Sequence, residues 1–493
     1  MPNSPGWSTP RSRSSMQRDV AIVALTLALA SPLATAELPR PVRRAFLDAG
    51  VPLDHVAVVV QRVDASRPTV THQSDVPMNP ASVMKLVTTF AALELLGPSY
   101  RWRTEAYLRG PLVDGTLKGD LVLKGRGDPK ITIEQWKAFM RELRTRGLER
   151  IEGDLVLDRS AFRLPTHDAA SFDSEPLRPY NVGPDALLVN FKSVRFGFAP
   201  NVANDAVEMV VEPMLPQLAV GDVPFLADGP CDDWRKHTAA AFINQARAAA
   251  ATFPGVYPRA CGQRDWHVAL LDHTNYVHGM FTAYFAAAGG DFGGIVREGR
   301  APGGQPFAVL ESPPLYDVVR DVNKLSNNVM ARQLFLTLAA HESKQPATPE
   351  RAAEVVNRWL TKRKIAIPGF VIENGSGLSR IERLTAGGLV SILVAAHASP
   401  VRDEYVTSLA VAATDGTLER RMTHARAAGR ALLKTGSLEG VRALAGYVID
   451  ANGTRWILVA FVNHPNAARA TPALDYLAEW VYRQAAIASK GPR

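Results

Sequence analysis

Ser82 and Lys85 are the residues of this sequence whose types and spacing best suit chemistry. They follow Pro80, where a helix is predicted to begin. On that helix a serine and a lysine three residues apart share one face. A serine hydroxyl is a weak nucleophile until a base takes its proton, and a desolvated lysine that is partly neutral can be that base. The S-x-x-K pattern is common by chance, so it needs support from elsewhere in the chain.

Two later stretches supply that support. Ser326 and Asn328 form an S-x-N triplet, and residues 434–436 form K-T-G after an apolar pair. In this order the three motifs are the signature set of serine enzymes that recognise penicillins. Taken singly, each has a structural alternative, since the S-x-N residues could cap a helix and K-T-G could end a strand. Taken together, they favour a catalytic site.

The elements that must position these side chains can be predicted from apolar periodicity. A β-branched run predicts a strand over 55–61, ahead of the Ser82 helix. Helical patterns span 315–340, with the S-x-N residues at a turn between helices, and a strand is predicted at 432–436. Asn452-Gly453 predicts a type I′ hairpin, and a closing helix follows over 473–486. This order predicts an α/β sandwich.

The 493-residue chain is too long for one ordinary core. Residues 1–36 are predicted to be a secretory signal, with a short apolar core and a small-x-small cleavage site, although an uncleaved anchor is the alternative. Alternating segments over 97–290 predict one or two inserted β-rich domains. The insertion would divide a catalytic domain into 37–96 and 291–493. The predicted location is therefore outside the cytoplasm, in the periplasm, and peripheral membrane association stays open.

Composition and motif searches exclude other classes. The net charge of +8 comes from scattered basic residues, which is not a nucleic-acid footprint. There is no G-x-S-x-G and no H-E-x-x-H, so a Ser-His-Asp hydrolase and a metallopeptidase are disfavoured, and no metal or cofactor is required. Cys231 and Cys261 match no metal motif; in an exported protein they can form a disulfide, with two buried free thiols as the alternative.

Further blocks surround the three motifs. They comprise the stretches 322–328 (V-N-K-L-S-N-N), 374–380 (N-G-S-G-L-S-R), 415–422 (D-G-T-L-E-R-R-M), 127–129 (G-D-P) and 180–182 (Y-N-V). With these, most of the mature chain resembles the D-alanyl-D-alanine carboxypeptidase/endopeptidase family, the low-molecular-mass class C penicillin-binding proteins of peptidase family S13. Val322 stands where the family usually has Met, and Asn374 where it has Asp. The resemblance implies a serine β-lactamase/transpeptidase-like sandwich interrupted by inserted domains.

The resemblance also implies an activity and roles for the motif residues. The chain would cleave D-Ala-D-Ala bonds, or D-Ala cross-links, in peptidoglycan stem peptides, and β-lactams would inhibit it covalently. The implied roles are nucleophile for Ser82, general base for Lys85, proton relay for Ser326, and substrate binding for Asn328, Lys434, Thr435 and Ser437. The backbone N–H groups of Ser82 and Ser437 would form the oxyanion hole. Asp158 is a weaker candidate, for the free amine of a diamino-acid stem peptide, and a surface turn carboxylate is the alternative.

Two other functions use the same motifs. A serine β-lactamase would need an efficient deacylating water, often activated by a carboxylate, and no such carboxylate can be identified in the sequence. The large insertion favours a polymeric substrate over a small drug. A non-catalytic cell-wall-binding relative is the other alternative, and the intact motif residues argue against it.

Overall fold

The structure, a computed structural model, describes residues 37–343 and 345–484. The predicted signal peptide over 1–36 lies outside the described residues. The helices of these ranges are α1 (Arg40–Asp48), α2 (Lys85–Leu96), α3 (Ile133–Thr145), α4 (Trp234–His237), α5 (His273–Ala287), α6 (Leu315–Lys324), α7 (Asn328–Glu342), α8 (Pro349–Lys362), α9 (Ala386–Ala398), α10 (Arg402–Thr407) and α11 (Thr471–Tyr482). None of them combines the length and the apolar character needed to cross a membrane.

The strands of the same ranges fall into six sheets. In chain order they are β1 (Val56–Arg62), β2 (Val70–His72), β3 (Arg103–Arg109), β4 (Leu112–Val113), β5 (Thr116–Leu117), β6 (Asp120–Lys124), β7 (Arg150–Ile151), β8 (Leu155–Asp158), β9 (Val194–Asn201), β10 (Ala206–Glu212), β11 (Leu218–Gly221), β12 (Phe225–Ala227), β13 (Ala241–Asn244), β14 (Ala249–Thr252), β15 (Val256–Pro258), β16 (Arg264–Val268), β17 (Asp291–Phe292), β18 (Val296–Glu298), β19 (Ala308–Glu311), β20 (Ala410–Val411), β21 (Ala431–Leu438), β22 (Val441–Ile449) and β23 (Arg455–Asn463).

The largest sheet joins the two ends of the described chain. Its order is β2-β1-β23-β22-β21-β20, and every neighbouring pair is antiparallel. Successive side chains of a strand point to opposite faces. Ala57 and Val59 therefore pack with α2 and α6–α9 on one face, while Val56, Val58 and Val60 pack with α1 and α11 on the other. The result is a helix–sheet–helix sandwich, which confirms the predicted fold class.

The inserted segment has its own core. A five-stranded sheet of order β18-β8-β6-β3-β19 packs with α3 and α5 around buried aromatic residues such as Trp136 and Phe281, and smaller sheets are built from β9–β16. In the structure, Cys231 and Cys261 form a disulfide in this outer part.

We propose that the chain returns to the catalytic domain beyond residue 290, the predicted end of the insertion. Both β18 and β19 pair with strands of the insertion. Trp102 donates its N–H to Ser312 Oγ at 2.9 Å, and the Ser312 N–H donates to the Trp102 carbonyl at 3.0 Å. Because the chain leaves and re-enters at this pair, we propose domain boundaries near 102 and 312. The pattern at 291–311 is too short and polar to reveal its pairing partners.

Candidate active site

Ser82 lies in a tight turn that leads into α2. Residues Ala81–Met84 form one 3₁₀ turn, and Ala81 has a φ of +46°, a conformation that L residues rarely adopt. The Ala81 N–H donates to Asn79 Oδ1 at 2.9 Å, which holds the turn. Gly377, with φ +80°, packs against it so closely that a Cβ there would lie 1.9 Å from the Ala81 carbonyl oxygen. Ser82 is thus held by packing as well as by its helix.

The Lys85 amine lies directly behind Ser82. The side chain is fully buried, and Nζ lies 2.9 Å from Ser82 Oγ, 2.7 Å from Asn328 Oδ1 and 2.5 Å from the Ser376 carbonyl oxygen. As an ammonium it donates to all three oxygens. As a neutral amine it keeps two N–H donors for the amide and carbonyl oxygens and turns its lone pair to the Ser82 hydroxyl. The geometry therefore suits a base that takes the Ser82 proton.

Electrostatics favour the neutral amine. Burial lowers the pKa of Lys85 well below its usual value, and the nearby charge of Lys434 lowers it further. Burial also lowers the pKa of Lys434 to about 7. A pKa displaced in this way is characteristic of groups that act as bases or nucleophiles near neutral pH.

Ser326 occupies the bend between α6 and α7. Its φ of +57° ends α6, and the adjacent Asn327 caps α7 by accepting the Met330 N–H at 3.0 Å. The capping role therefore belongs to Asn327, which leaves Ser326 and Asn328 directed to the cleft. Ser326 Oγ accepts a hydrogen bond from Lys434 Nζ at 2.7 Å.

Strand β21 forms the opposite wall. Lys434 is fully buried, whereas Ser437 is exposed at the cleft. Thr435 donates its hydroxyl to Thr417 Oγ1 at 2.8 Å. Gly436 permits close approach, because a Cβ there would lie 2.7 Å from the Pro80 carbonyl oxygen beside the nucleophile turn. The strand therefore presents a cation and two hydroxyl groups along one side of Ser82.

Several of these side chains line one cleft of about 600 Å³. Its lining includes Ser82, Ser326, Asn328, Ser437, Phe172, Tyr180 and Arg380. A larger cavity of about 1430 Å³ adjoins it and shares the lining residues Phe172, Leu378 and Arg380. The Arg380 guanidinium lies 4.5 Å from the centroid of the Phe172 ring, at the junction of the two spaces.

Asp158 is not brought into this cleft. Its side chain is buried at the end of β8, where Oδ1 accepts the Ser160 N–H at 3.1 Å and Oδ2 accepts the Ala301 N–H at 2.9 Å. The carboxylate thus holds two loops of the insertion, and we do not include Asp158 in the proposed substrate site.

The motif search missed three site residues. Ser376, Thr417 and Glu382 are brought to the catalytic groups by tertiary packing. The first two lie within quoted sequence blocks, but no local pattern distinguishes a backbone carbonyl or a supporting hydroxyl. Glu382 follows such a block and has no motif of its own. Within the described ranges, no group of three or more His, Cys, Asp or Glu residues is placed to hold a metal ion.

Comparisons with known proteins find similar sequences and a similar fold. The family model described as the D-Ala-D-Ala carboxypeptidase 3 (S13) family matches residues 41–483. D-alanyl-D-alanine carboxypeptidase DacB of Haemophilus influenzae is 25% identical over 413 residues, 83% of this chain and 85% of that protein. A D-alanyl-D-alanine carboxypeptidase of an Actinomadura species is 28% identical over 433 residues, 82% and 78% of the respective chains. The crystal structure of penicillin-binding protein 4 from Haemophilus influenzae aligns with a TM-score of 0.74 at 23% identity, over 90% of this chain and 99% of that one.

Proposed function

The chain belongs to the D-Ala-D-Ala carboxypeptidase 3 (S13) family, and we propose that it cleaves the D-Ala-D-Ala bond of peptidoglycan stem peptides through an acyl-enzyme on Ser82. The observation that carries this proposal is the Lys85 amine, fully buried and 2.9 Å from the Ser82 hydroxyl. The relatives named as D-alanyl-D-alanine carboxypeptidases support the substrate class.

Acylation begins with neutral Lys85. Its lone pair takes the Ser82 proton while Oγ attacks the carbonyl of the penultimate D-Ala. The negative charge that develops on that oxygen is stabilised by the backbone N–H groups of Ser82 and Ser437. Loss of one such donor typically costs about 10² to 10³ in rate.

Collapse of the tetrahedral intermediate breaks the peptide bond and requires a proton on the leaving amine. Ser326 passes its hydroxyl proton to that nitrogen, and Lys434 Nζ, 2.7 Å from Ser326 Oγ, replaces it. Because the pKa of Lys434 is lowered to about 7, its ammonium can give up a proton near neutral pH. Before deacylation, Lys85 gives up the proton it took from Ser82 and Lys434 regains one from solvent. Water then attacks the acyl-enzyme, Lys85 takes the water proton, and Lys85 passes that proton to Ser82 Oγ as the ester bond breaks.

Residues of strand β21 recognise the C-terminal end of the substrate. The Thr435 and Ser437 hydroxyls bind the terminal carboxylate, and the positive charge of Lys434 favours it. Asn328 binds the substrate amide and orients Lys85. A β-lactam presents a comparable carbonyl and carboxylate, so we propose that it acylates Ser82 and leaves slowly. The name of the Haemophilus influenzae neighbour, a penicillin-binding protein, supports this assignment.

We also propose an endopeptidase activity on cross-linked peptides. The observation that favours it is the cavity of about 1430 Å³ beside the catalytic cleft, which offers room for a second peptide. Peptidoglycan is an extracytoplasmic substrate, so the proposal places the mature protein in the periplasm.

A β-lactamase is less well supported. The carboxylates that line the catalytic cleft have other partners: Asp173 accepts from the Tyr180 hydroxyl at 2.8 Å, and the exposed Glu439 lies 3.7 Å from the Arg380 guanidinium. Among the described residues, no carboxylate hydrogen-bonds to Ser82 or Lys85. A non-catalytic relative is disfavoured by the complete set of contacts around Lys85.

The deciding experiment follows the intact mass of the purified mature protein with a penicillin over time. A stable adduct on the peptide containing Ser82, absent from a folded Ser82→Ala variant, is the expected result. Rapid loss of the drug without an adduct would identify a β-lactamase instead. Two results would refute the assignment of Ser82 as nucleophile. One is the absence of both an adduct and drug loss, and the other is stoichiometric labelling of Ser82→Ala.

A further inference from the structure

Glu382 is a fully buried carboxyl close to the active site that none of the motifs includes. Its Oε1 accepts three backbone N–H groups, from Glu373 at 3.1 Å and from Asn374 and Gly375 at 3.0 Å each. Its Oε2 is buried and has no hydrogen-bond partner. A buried carboxyl with one oxygen unpaired is costly unless the site needs it.

The backbone segment that donates its N–H groups to Glu382 is continuous with the one that contacts Lys85, the proposed base. The Ser376 carbonyl oxygen lies 2.5 Å from Lys85 Nζ, and the Gly375 carbonyl accepts the Thr88 hydroxyl at 2.7 Å from the next turn of α2. Glu382 therefore fixes the turn over residues 373–376, and that turn fixes the amine.

Three basic side chains are buried close to one another beside this turn. Lys85 on α2, Lys434 on β21 and Arg332 on α7 are each nine-tenths or more buried. Exposed Glu373 is the other charge that faces Glu382. No Lys or Arg of the described residues lies within ion-pair distance of the Glu382 carboxyl, which therefore acts on the cations through its field rather than by direct pairing.

We propose that Glu382 is a positioning residue for acylation: it holds the Ser376 carbonyl against Lys85 and balances the positive charge buried around that amine. The inference rests on the proposed function, because it assigns Lys85 the role of base. Glu382 touches no substrate and acts only through the turn and its charge.

The sign of the electrostatic effect follows from the groups present. Burial and Lys434 lower the pKa of Lys85, whereas the Glu382 charge raises it. Burial also raises the pKa of the Glu382 carboxyl, and the three N–H donors oppose that by favouring the anion. Removal of the Glu382 charge would therefore lower the pKa of Lys85 and extend the neutral amine to more acidic pH.

The test measures the rate of acylation by a fluorescent penicillin across pH in wild type, Glu382→Gln and Glu373→Gln. Glutamine keeps an acceptor oxygen for the three N–H groups and removes the charge, with an NH2 group in place of the unpaired Oε2. We expect the acid limb of the profile to move to lower pH in Glu382→Gln, with the plateau retained. Glu373→Gln removes an exposed charge nearby and should leave the limb in place. An unmoved limb in a folded Glu382→Gln variant would overturn the electrostatic part of the inference.

Glu382→Asp tests positioning separately and serves if the glutamine variant does not fold. The shorter side chain keeps the charge but withdraws from the turn. We expect the acid limb to stay near its wild-type position and the plateau rate to fall about a hundredfold, the scale of a 1 Å misplacement. A wild-type rate in Glu382→Asp would refute the positioning role. Unlabelled wild-type protein would instead refute the proposed function, so the two failures are distinguishable.

Discussion

At the scale of single residues, the two buried lysines of the site differ in their hydrogen-bond partners. The Lys85 amine faces three oxygens, one of which is Ser82 Oγ, the proposed nucleophile. The Lys434 amine contacts Ser326 Oγ and the carbonyl oxygen of Thr435. It can therefore exchange a proton with Ser326, whereas neither contact reaches Ser82. The same residue type is thus proposed as the base in one place and as the acid in the other.

The buried Lys434 should make stability depend on pH. Its pKa is about 7 in the folded protein, below the usual 10.5, so between those values the unfolded chain binds more protons. The free energy of unfolding of wild type should therefore rise relative to that of Lys434→Met between pH 7 and about 10, by up to about 1.4 kcal/mol per pH unit. Chemical denaturation of both proteins across this range measures the difference. If the difference in free energy of unfolding stays constant across this pH range, the pKa of Lys434 is not lowered in the folded protein.

Asn328 and Asn327 are adjacent but should have separable effects. Asn328→Ala removes the Oδ1 that lies 2.7 Å from Lys85 Nζ, and loss of a hydrogen bond to a charged group corresponds to roughly a ten- to hundredfold slower acylation. Asn327→Ala removes the α7 cap and should cost about 1 kcal/mol of stability with little change in acylation. Penicillin labelling and denaturant titration of both variants give the comparison. Equal labelling rates would contradict the role of Asn328.

At the scale of elements, local patterns predicted much but not all of the structure. Strand β1, helices α6 and α7 and the Ser326 turn follow from apolar spacing and agree closely with the predicted segments. A helical pattern over 280–288 predicts a helix there, whereas α5 begins at His273, because Asp272 caps a first turn with little apolar signal. The hairpin at 452–453 exists, yet only Gly453 of the pair has a positive φ, so the type I′ turn was wrong.

The site was predictable to the same extent. The catalytic side chains could be identified because their types and order form a known set. Glu382 and Ser376 could not, since their contribution depends on burial and on a backbone carbonyl that reaches α2 from nearly 300 positions away in the chain. Such contacts have no local periodicity.

Gly377 offers a test of how closely two elements must approach. Alanine there is strained by the φ of +80° and would also place Cβ 1.9 Å from the Ala81 carbonyl oxygen, so the nucleophile turn must shift. We expect Gly377→Ala to slow acylation about a hundredfold. Gly453→Ala is the matched control, since φ is +84° but nothing lies within 4 Å of the added Cβ. It should lose about 1 to 2 kcal/mol of stability and keep its acylation rate. Equal effects on acylation would refute the close-approach argument.

At the scale of the whole molecule, the candidate active site and the insertion are supported by different hydrophobic cores. The catalytic groups lie on the sheet of β1 and β20–β23 and its helices, whereas β3–β19 with α3–α5 bury a separate set of side chains. The Cys231–Cys261 disulfide belongs to the second set and is absent from the lining of the catalytic cleft. Loss of the disulfide can therefore leave acylation intact.

Replacement of both cysteines by alanine tests this separation. The disulfide closes a loop of 30 residues, and its loss should cost the insertion about 3.5 kcal/mol through a less restricted unfolded chain. Calorimetry should show an unfolding transition at lower temperature, while the rate of penicillin acylation below that transition stays at the wild-type value. Thiol titration of the exported, non-reduced wild type under denaturing conditions should find no free thiol, and two would refute the bridge. A matched fall in acylation would show instead that the catalytic sandwich depends on the insertion for its own geometry, and that the two cores fold as one cooperative unit.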